Sequence, residues 1–245
     1  MHKTHTNRHL TLAVAARETQ GAPEQNIDAR DVQVAHVLFL DLVGYSKLYL
    51  EDQARHVNDL TRVVIETQEY RAATERHELI SESTGDGMVL IFFGDPLQPV
   101  RCAIAIAEGL KQYPHLVLRM GVHSGPVLRF TDARGGQGLV GAGVNMGQRV
   151  MDSATDNQIL VSEFTAQILT GMSEWTDWVQ DCGIFEVKHG VRMRLFNLCK
   201  GAVGSRQQPR AKRAEAERSG SGWKPAVIAA SLITAVTGFL TGVIR

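Results

Sequence analysis

The sequence predicts an α+β domain followed by a C-terminal membrane-spanning helix, and three observations carry that reading. Between residues 32 and 200, short apolar runs alternate with stretches of helical spacing. Pro225–Ile244 is twenty residues without a single charge. The segment between them, Gly201–Lys224, is rich in Gly, Ser, Gln, Ala and basic residues. Mixed strands and helices of these lengths imply one sheet with helices on one face.

The elements follow in order. Residues 1–31 are polar and mixed, which reads as a flexible leader. Residues 10–16 are apolar behind Lys3 and Arg8, a stretch at the short limit for a signal peptide. Val34–Leu40 is an apolar strand that ends at Asp41, and Leu48 to Arg76 has helical spacing. Leu79–Ser83 and Gly87–Phe93 read as two strands around the turn Thr84-Gly85-Asp86-Gly87. Pro96 or Pro99 opens a helix through Lys111. Leu116–His123 is a strand that Gly125–Pro126 breaks. A helix runs from Gly143 to about Ser153, and Gln158–Val161 is a short strand. Ser162 then caps a helix with Glu163 in its first turn. Ile184–Lys188 and Val191–Leu198 form a hairpin around His189–Gly190.

The tail is read by length. Twenty residues at ~1.5 Å each reach ~30 Å, the hydrocarbon thickness of a bilayer. The linker 201–224 is basic, with Arg206, Arg210, Lys212, Arg213, Arg218 and Lys224 against Glu215 and Glu217. That asymmetry places the preceding domain in the cytoplasm, with residues 225–244 as a single-pass anchor in the cell inner membrane. Gly238 and Gly242 form a GxxxG pair that Ala230 and Thr234 extend, a surface on which two helices can approach closely.

Composition excludes several classes. The 245 residues carry 26 Lys+Arg against 26 Asp+Glu, which argues against a nucleic-acid binder. Cys102, Cys182 and Cys199 are odd in number and lack CxxC spacing, so neither a disulfide scaffold nor a cysteine-rich zinc site is expected.

Three segments carry chemistry. Phe39-Leu40-Asp41-Leu42-Val43-Gly44-Tyr45-Ser46 is a strand ending in a carboxylate, then a glycine turn into a helix whose N–H groups can hold phosphate oxygens. A hard divalent cation takes one or two carboxylates plus substrate phosphates, which suits Asp41 beside such a turn. Gly85-Asp86-Gly87 taken alone is ordinary hairpin chemistry. Adjacent strands would nonetheless bring Asp86 to the same sheet edge as Asp41, a pair suited to two-metal phosphoryl transfer. Asn145 and Arg149, four residues apart, share one helix face. Their amide and guanidinium suit a ribose and a developing phosphorane charge, although a helix-start Asn and a solvated Arg are the plainer reading.

Together the three segments resemble the class III nucleotidyl cyclases. The likeness runs from about Val34 to Leu198 and includes Arg119-Met120-Gly121-Val122-His123-Ser124-Gly125. It implies a ferredoxin-like sheet and active sites shared between the protomers of a homodimer. It implies two Mn²⁺ or Mg²⁺ ions per site on Asp41, Asp86 and the Leu42 carbonyl. Asn145 would orient the ribose, Arg149 would stabilise the transition state, and Gly44 and Ser46 would border the phosphates. Lys188 would hold the triphosphate tail. In the family, the base is read at the positions of Glu82 and Gly138. Glu leans towards guanine, while glycine offers no side chain.

The wording of Asp41–Leu48, Gly85–Phe93, Gly147–Asp152 and Glu186–Val191 is similar to the bacterial pyrimidine cyclases of Pycsar anti-phage systems. That likeness implies conversion of UTP to 3′,5′-cyclic UMP and pyrophosphate, with a cyclic-nucleotide-activated effector as indirect partner. Tyr45 would narrow the base pocket. The alternatives are a cytidylate cyclase using CTP, a guanylate cyclase using GTP, and a non-catalytic binding module of the same fold.

Overall fold

The computed structural model describes residues 32–131 and 137–214. The leader and the apolar stretch 225–244 lie outside these residues. Among the described residues no helix is long and apolar enough to cross a membrane.

The first half of the chain builds the sheet's centre. Strand β1 (Val32–Leu42) is followed by helices α1 (Leu50–Glu66) and α2 (Gln68–Glu75). Strands β2 (Leu79–Ser83) and β3 (Gly87–Phe92), helix α3 (Gln98–Gly109) and strand β4 (Leu118–Thr131) complete a βαββαβ unit. Its spatial order is β2-β3-β1-β4, antiparallel throughout, which is the ferredoxin-like arrangement the sequence implies. The second half adds β5 (Gln137–Val140), α4 (Ala142–Asp152), β6 (Ile159–Ser162), α5 (Glu163–Thr170), β7 (Val179–Val187), β8 (Val191–Leu198) and β9 (Lys212–Arg213). Strand β6 joins β4 in parallel, and β8, β7 and β9 extend the sheet beyond it.

Helices cover both faces of the sheet, not one. Leu38, Leu40, Leu90, Phe92, Met120 and Val122 pack against α1, α2, α3 and α5. The alternate residues Val37, Phe39, Val89, Ile91 and Val127 pack against Val144 and Met151 of α4. Burial on both sides explains why β1 reads as a continuous apolar run and not as an alternating one. Helix α4 was invisible as a second layer because its own buried face is short, Val144, Gly147, Val150 and Met151.

Three further boundaries and one capping bond differ from the sequence reading. The long helical stretch after β1 is two helices, because the Thr67 hydroxyl donates to the Val64 carbonyl and accepts from the Tyr70 amide, capping α2. Strand β4 continues through Gly125 and Pro126. Pro126 faces Val34 on one side, and it falls between the end of β6 pairing at Val122 and the start of β5 pairing at Leu128. A proline is tolerated where one side of a strand is unpaired. Ser162 does precede α5, but its hydroxyl bonds His123 Nδ1 (2.8 Å) and Thr165 instead of the helix backbone. Finally, residues 201–214 fold back on the domain. Val203 is buried, Ala214 donates to the Ile184 carbonyl, and β9 pairs with β7. The first half of the stretch read as a flexible linker is thus part of the folded unit.

Candidate active site

Asp41 lies near the end of β1, where the strand register sets it opposite Gly87 of β3 and Arg119 of β4. A side chain at position 87 would overlap the Leu40 carbonyl oxygen, so only glycine lets β3 start this close. The Leu42 amide donates to the Asp86 carbonyl at 2.9 Å, which ties the Gly85-Asp86-Gly87 turn to the end of β1. After β1 the chain turns at Gly44 (φ 76°) into a single 3-10 turn, Tyr45–Lys47. The left-handed φ requires glycine there. Helix α1 starts only at Leu50, so this 3-10 turn, and not a helix, stands where the sequence places the phosphate-binding amides.

These pieces enclose one cavity of about 270 Å³. Asp41, Leu42, Gly44, Tyr45, Ser46 and Asp86 all line it, as do Arg119, Thr155, Asp156 and Arg210. Tyr45 also packs against the large core cluster, which anchors its ring at the cavity wall.

The electrostatics are those of an acidic site in which Arg119 is the direct counter-ion of Asp41. Asp41 is only 8% exposed. Arg119 holds its Oδ2 through Nε (2.7 Å) and Nη2 (2.5 Å). Burial pushes the Asp41 carboxyl above its ordinary value; Arg119 pulls it down, and the charges of Asp86 and Asp152 push it up again. Two carboxylates that repel each other across a polar cavity suit a divalent cation. Among the described residues no three His, Cys, Asp or Glu side chains cluster as a complete metal cage. A Mg²⁺-type ion takes one or two carboxylates and completes its shell with water and substrate phosphates, and Asp41 and Asp86 put two carboxylates on one cavity. Asp41, Leu42 and Asp86 line the same cavity, so two carboxylates and a backbone carbonyl would be the donors the chain offers such an ion.

The adenylate and guanylate cyclase catalytic domain, as a family, matches residues 27–200. The chain belongs to this family. Solved structures agree at the level of fold. The guanylate cyclase domain of RhGC from Catenaria anguillulae, in complex with GTP, is 23% identical with a TM-score of 0.55, covering 68% of this chain and 96% of that one. The adenylyl cyclase CyaB from P. aeruginosa is 20% identical with a TM-score of 0.55, covering 69% and 95%. A dimeric guanylyl cyclase domain of the RhoGC fusion protein from the aquatic fungus Blastocladiella emersonii is 22% identical with a TM-score of 0.53, covering 68% and 96%. No curated protein sequence matches the chain.

Within one chain of this cyclase domain, the remaining residues singled out in the sequence do not line the same cavity. Asn145 is exposed and Arg149 half-buried on α4, and Arg149 Nη1 donates to the Met146 thioether. Asn145 is not the helix cap; Gly141 is. Lys188 sits in the β7–β8 turn, 63% exposed, and pairs with Asp152 Oδ2 at 2.5 Å. Glu82 is on the outer strand β2, and Gly138 is on β5, at the other end of the sheet order's centre.

The sequence alone does not assign Arg119, Thr155, Asp156 or Arg210 to the site. Arg119 was within reach of it. Once β1 and β4 pair antiparallel, its place opposite Asp41 follows from register. Thr155 and Asp156 lie in the loop after α4 and carry no periodic signal. Arg210 comes from a segment whose composition reads as linker.

Proposed function

We propose that this domain works as a homodimeric cyclase that converts a pyrimidine nucleoside triphosphate, UTP ahead of CTP, into the 3′,5′-cyclic nucleotide and pyrophosphate. The observation behind the dimer is a separation. Asp41 and Asp86 share one cavity, while Asn145 and Arg149 stand on α4 outside it. A two-fold arrangement lets one protomer's α4 complete its partner's cavity, giving two equivalent composite sites.

In such a site Asp41, Asp86 and the Leu42 carbonyl hold the divalent ions. When bound, these ions stabilise the charge on the attacking and leaving oxygens. The turn at Gly44–Ser46 borders the phosphates with backbone amides. Arg149 offers a guanidinium to the equatorial charge at the α-phosphorus, and Asn145 orients the ribose so that its 3′-oxygen points at that phosphorus. The new bond is 3′-O to Pα, and the proton of the 3′-hydroxyl leaves to solvent water. The bond that breaks joins Pα to the oxygen bridging to the β-phosphate, and pyrophosphate carries away the electron pair. Lys188 steadies the departing tail.

The pyrimidine assignment rests on the likeness to pyrimidine cyclases and on two residues. Tyr45 is fixed at the cavity wall, and Gly138 has no side chain to read a purine edge. Glu82 favours a second reading, a guanylate cyclase. In the first reading the product is a messenger in anti-phage defence that switches on a separate effector, and residues 225–244 tether the enzyme to the inner membrane. The test is incubation of the full chain with Mn²⁺ and all four ribonucleoside triphosphates, followed by mass spectrometry. Cyclic UMP or cyclic CMP supports the pyrimidine reading. Cyclic GMP overturns it in favour of Glu82, and no product in either uninfected or phage-infected extract overturns the cyclase reading.

A further inference from the structure

The segment after residue 200 lies beyond the family match, yet it reaches the active-site cavity. Its docking is specific. The Gln207 carbonyl accepts from Gln158 Nε2 (2.6 Å) and Asn197 Nδ2 (3.2 Å), two side chains that are 0% and 1% exposed. Buried amides of this kind need partners, and the strap supplies one. Three residues on, the Arg210 amide donates to the Ser153 carbonyl (2.8 Å), and Arg210 Nε donates to the Asp152 carbonyl (2.5 Å).

Capping the C-terminus of α4 accounts for Arg210's backbone and Nε. It does not account for the rest of the guanidinium. Among the described residues Arg210 pairs with no carboxylate, and its side chain lines the cavity with Asp41, Asp86 and Asp156. Arg119, the other guanidinium there, is committed to Asp41. Arg210 thus holds an exposed guanidinium, tethered through Nε, at the rim of the acidic cavity.

We propose that Arg210 binds the anionic phosphate tail of the nucleoside triphosphate, so that the strap 205–214 is a working part of the active site. This rests on the cyclase reading of the same cavity. A guanidinium held by its backbone and Nε is pre-organised, and pairing with phosphate costs it little further ordering.

The test separates this role from capping. Arg210→Gln keeps a donor for the α4 carbonyls and removes the charge; Arg210→Lys restores the charge. Calorimetry with inorganic tripolyphosphate and Mn²⁺ reads the full chain and both variants, beside KM and kcat for the nucleotide and the melting temperature. The expected result is about a tenfold weaker affinity for tripolyphosphate and a similar rise in KM for Arg210→Gln, partly recovered by Arg210→Lys. An unchanged tripolyphosphate affinity in Arg210→Gln overturns the proposal, whatever happens to the melting temperature. A full chain that binds tripolyphosphate through Arg210 but makes no cyclic nucleotide would sink the cyclase reading and leave this one standing.

Discussion

Arg119 grips a single oxygen of Asp41, donating from both Nε and Nη2 to Oδ2 across the β1–β4 pair. Both side chains are largely covered, at 19% and 11% exposure, so each is the other's main counter-charge. Removing one partner of such a pair leaves an uncompensated charge in a poorly hydrated place. Arg119→Met is expected to destabilise the domain by about 3 kcal/mol in urea unfolding. Adding Asp41→Asn to that background is expected to return much of the loss, because the orphaned charge goes with it. A double variant as unstable as the sum of the singles would show that the pair does not act as a unit.

Asp86 makes the opposite prediction. It is half-buried, and among the described residues it makes no ion pair. Its tie to β1 runs through its backbone carbonyl, which a substitution preserves. Asp86→Ala is therefore expected to leave the unfolding midpoint almost unchanged while lowering cyclase turnover by at least about a hundredfold. Turnover close to that of the unaltered chain would remove Asp86 from the ion-holding pair.

How much of this was legible depends on whether the signal was local. Asp41 and Asp86 were readable because each sits at a punctuation mark, a strand end and the Gly-Asp-Gly turn of the β2–β3 hairpin, whereas the β1–β3 pairing that brings them together spans two helices and a strand. The two-faced sheet was half-legible. The continuous apolar run of β1 implies cover on both sides, but α4 shows only a short buried stripe. Strand β5 is four residues long and lies beside a glycine-rich stretch, so no periodicity marks it. The docked strap was illegible because composition describes what a segment resembles, not what Gln158 and Asn197 require of it. Buried amides far away in sequence hold Gln207 in place, and that is a purely tertiary fact.

The two histidines on the central strands set an acid limit on stability. Burial lowers His123 to about 4 and also lowers His36, each ring bonded through Nδ1 to a serine hydroxyl. An unfolded chain takes up these protons near pH 6.5, and the folded one resists. For His123, between about pH 6.5 and 4 the unfolded state therefore binds more protons, and stability falls as the pH falls, by up to about 1.4 kcal/mol per pH unit; His36 adds in the same direction. Asp41 acts in the other sense. Its raised carboxyl means that its contribution declines as the pH climbs past the ordinary carboxylate value. Urea midpoints measured from pH 7.5 to 4.5 for the unaltered chain and for His123→Gln isolate the histidine. The variant is expected to show the shallower slope. Parallel curves would mean that His123 titrates normally in the folded domain.

The shared-site arrangement can be tested by complementation, because it assigns the two halves of the chemistry to different protomers. Asp41→Ala destroys the ion-holding half of every site in its own dimer, and Arg149→Ala destroys the other half. Neither homodimer has an intact site. In a heterodimer, one site takes Asp41 from the Arg149→Ala protomer and Arg149 from the Asp41→Ala protomer, and that site is whole. The second site is doubly defective. Random reassortment of equal amounts makes half the dimers mixed, each with one working site of two, so about a quarter of the unaltered activity is expected. Native mass spectrometry of the same mixture reports whether heterodimers have formed. Inactive mixtures that contain them would mean that Asn145 and Arg149 reach the cavity of their own chain, and the site would then close by movement of α4 within one protomer.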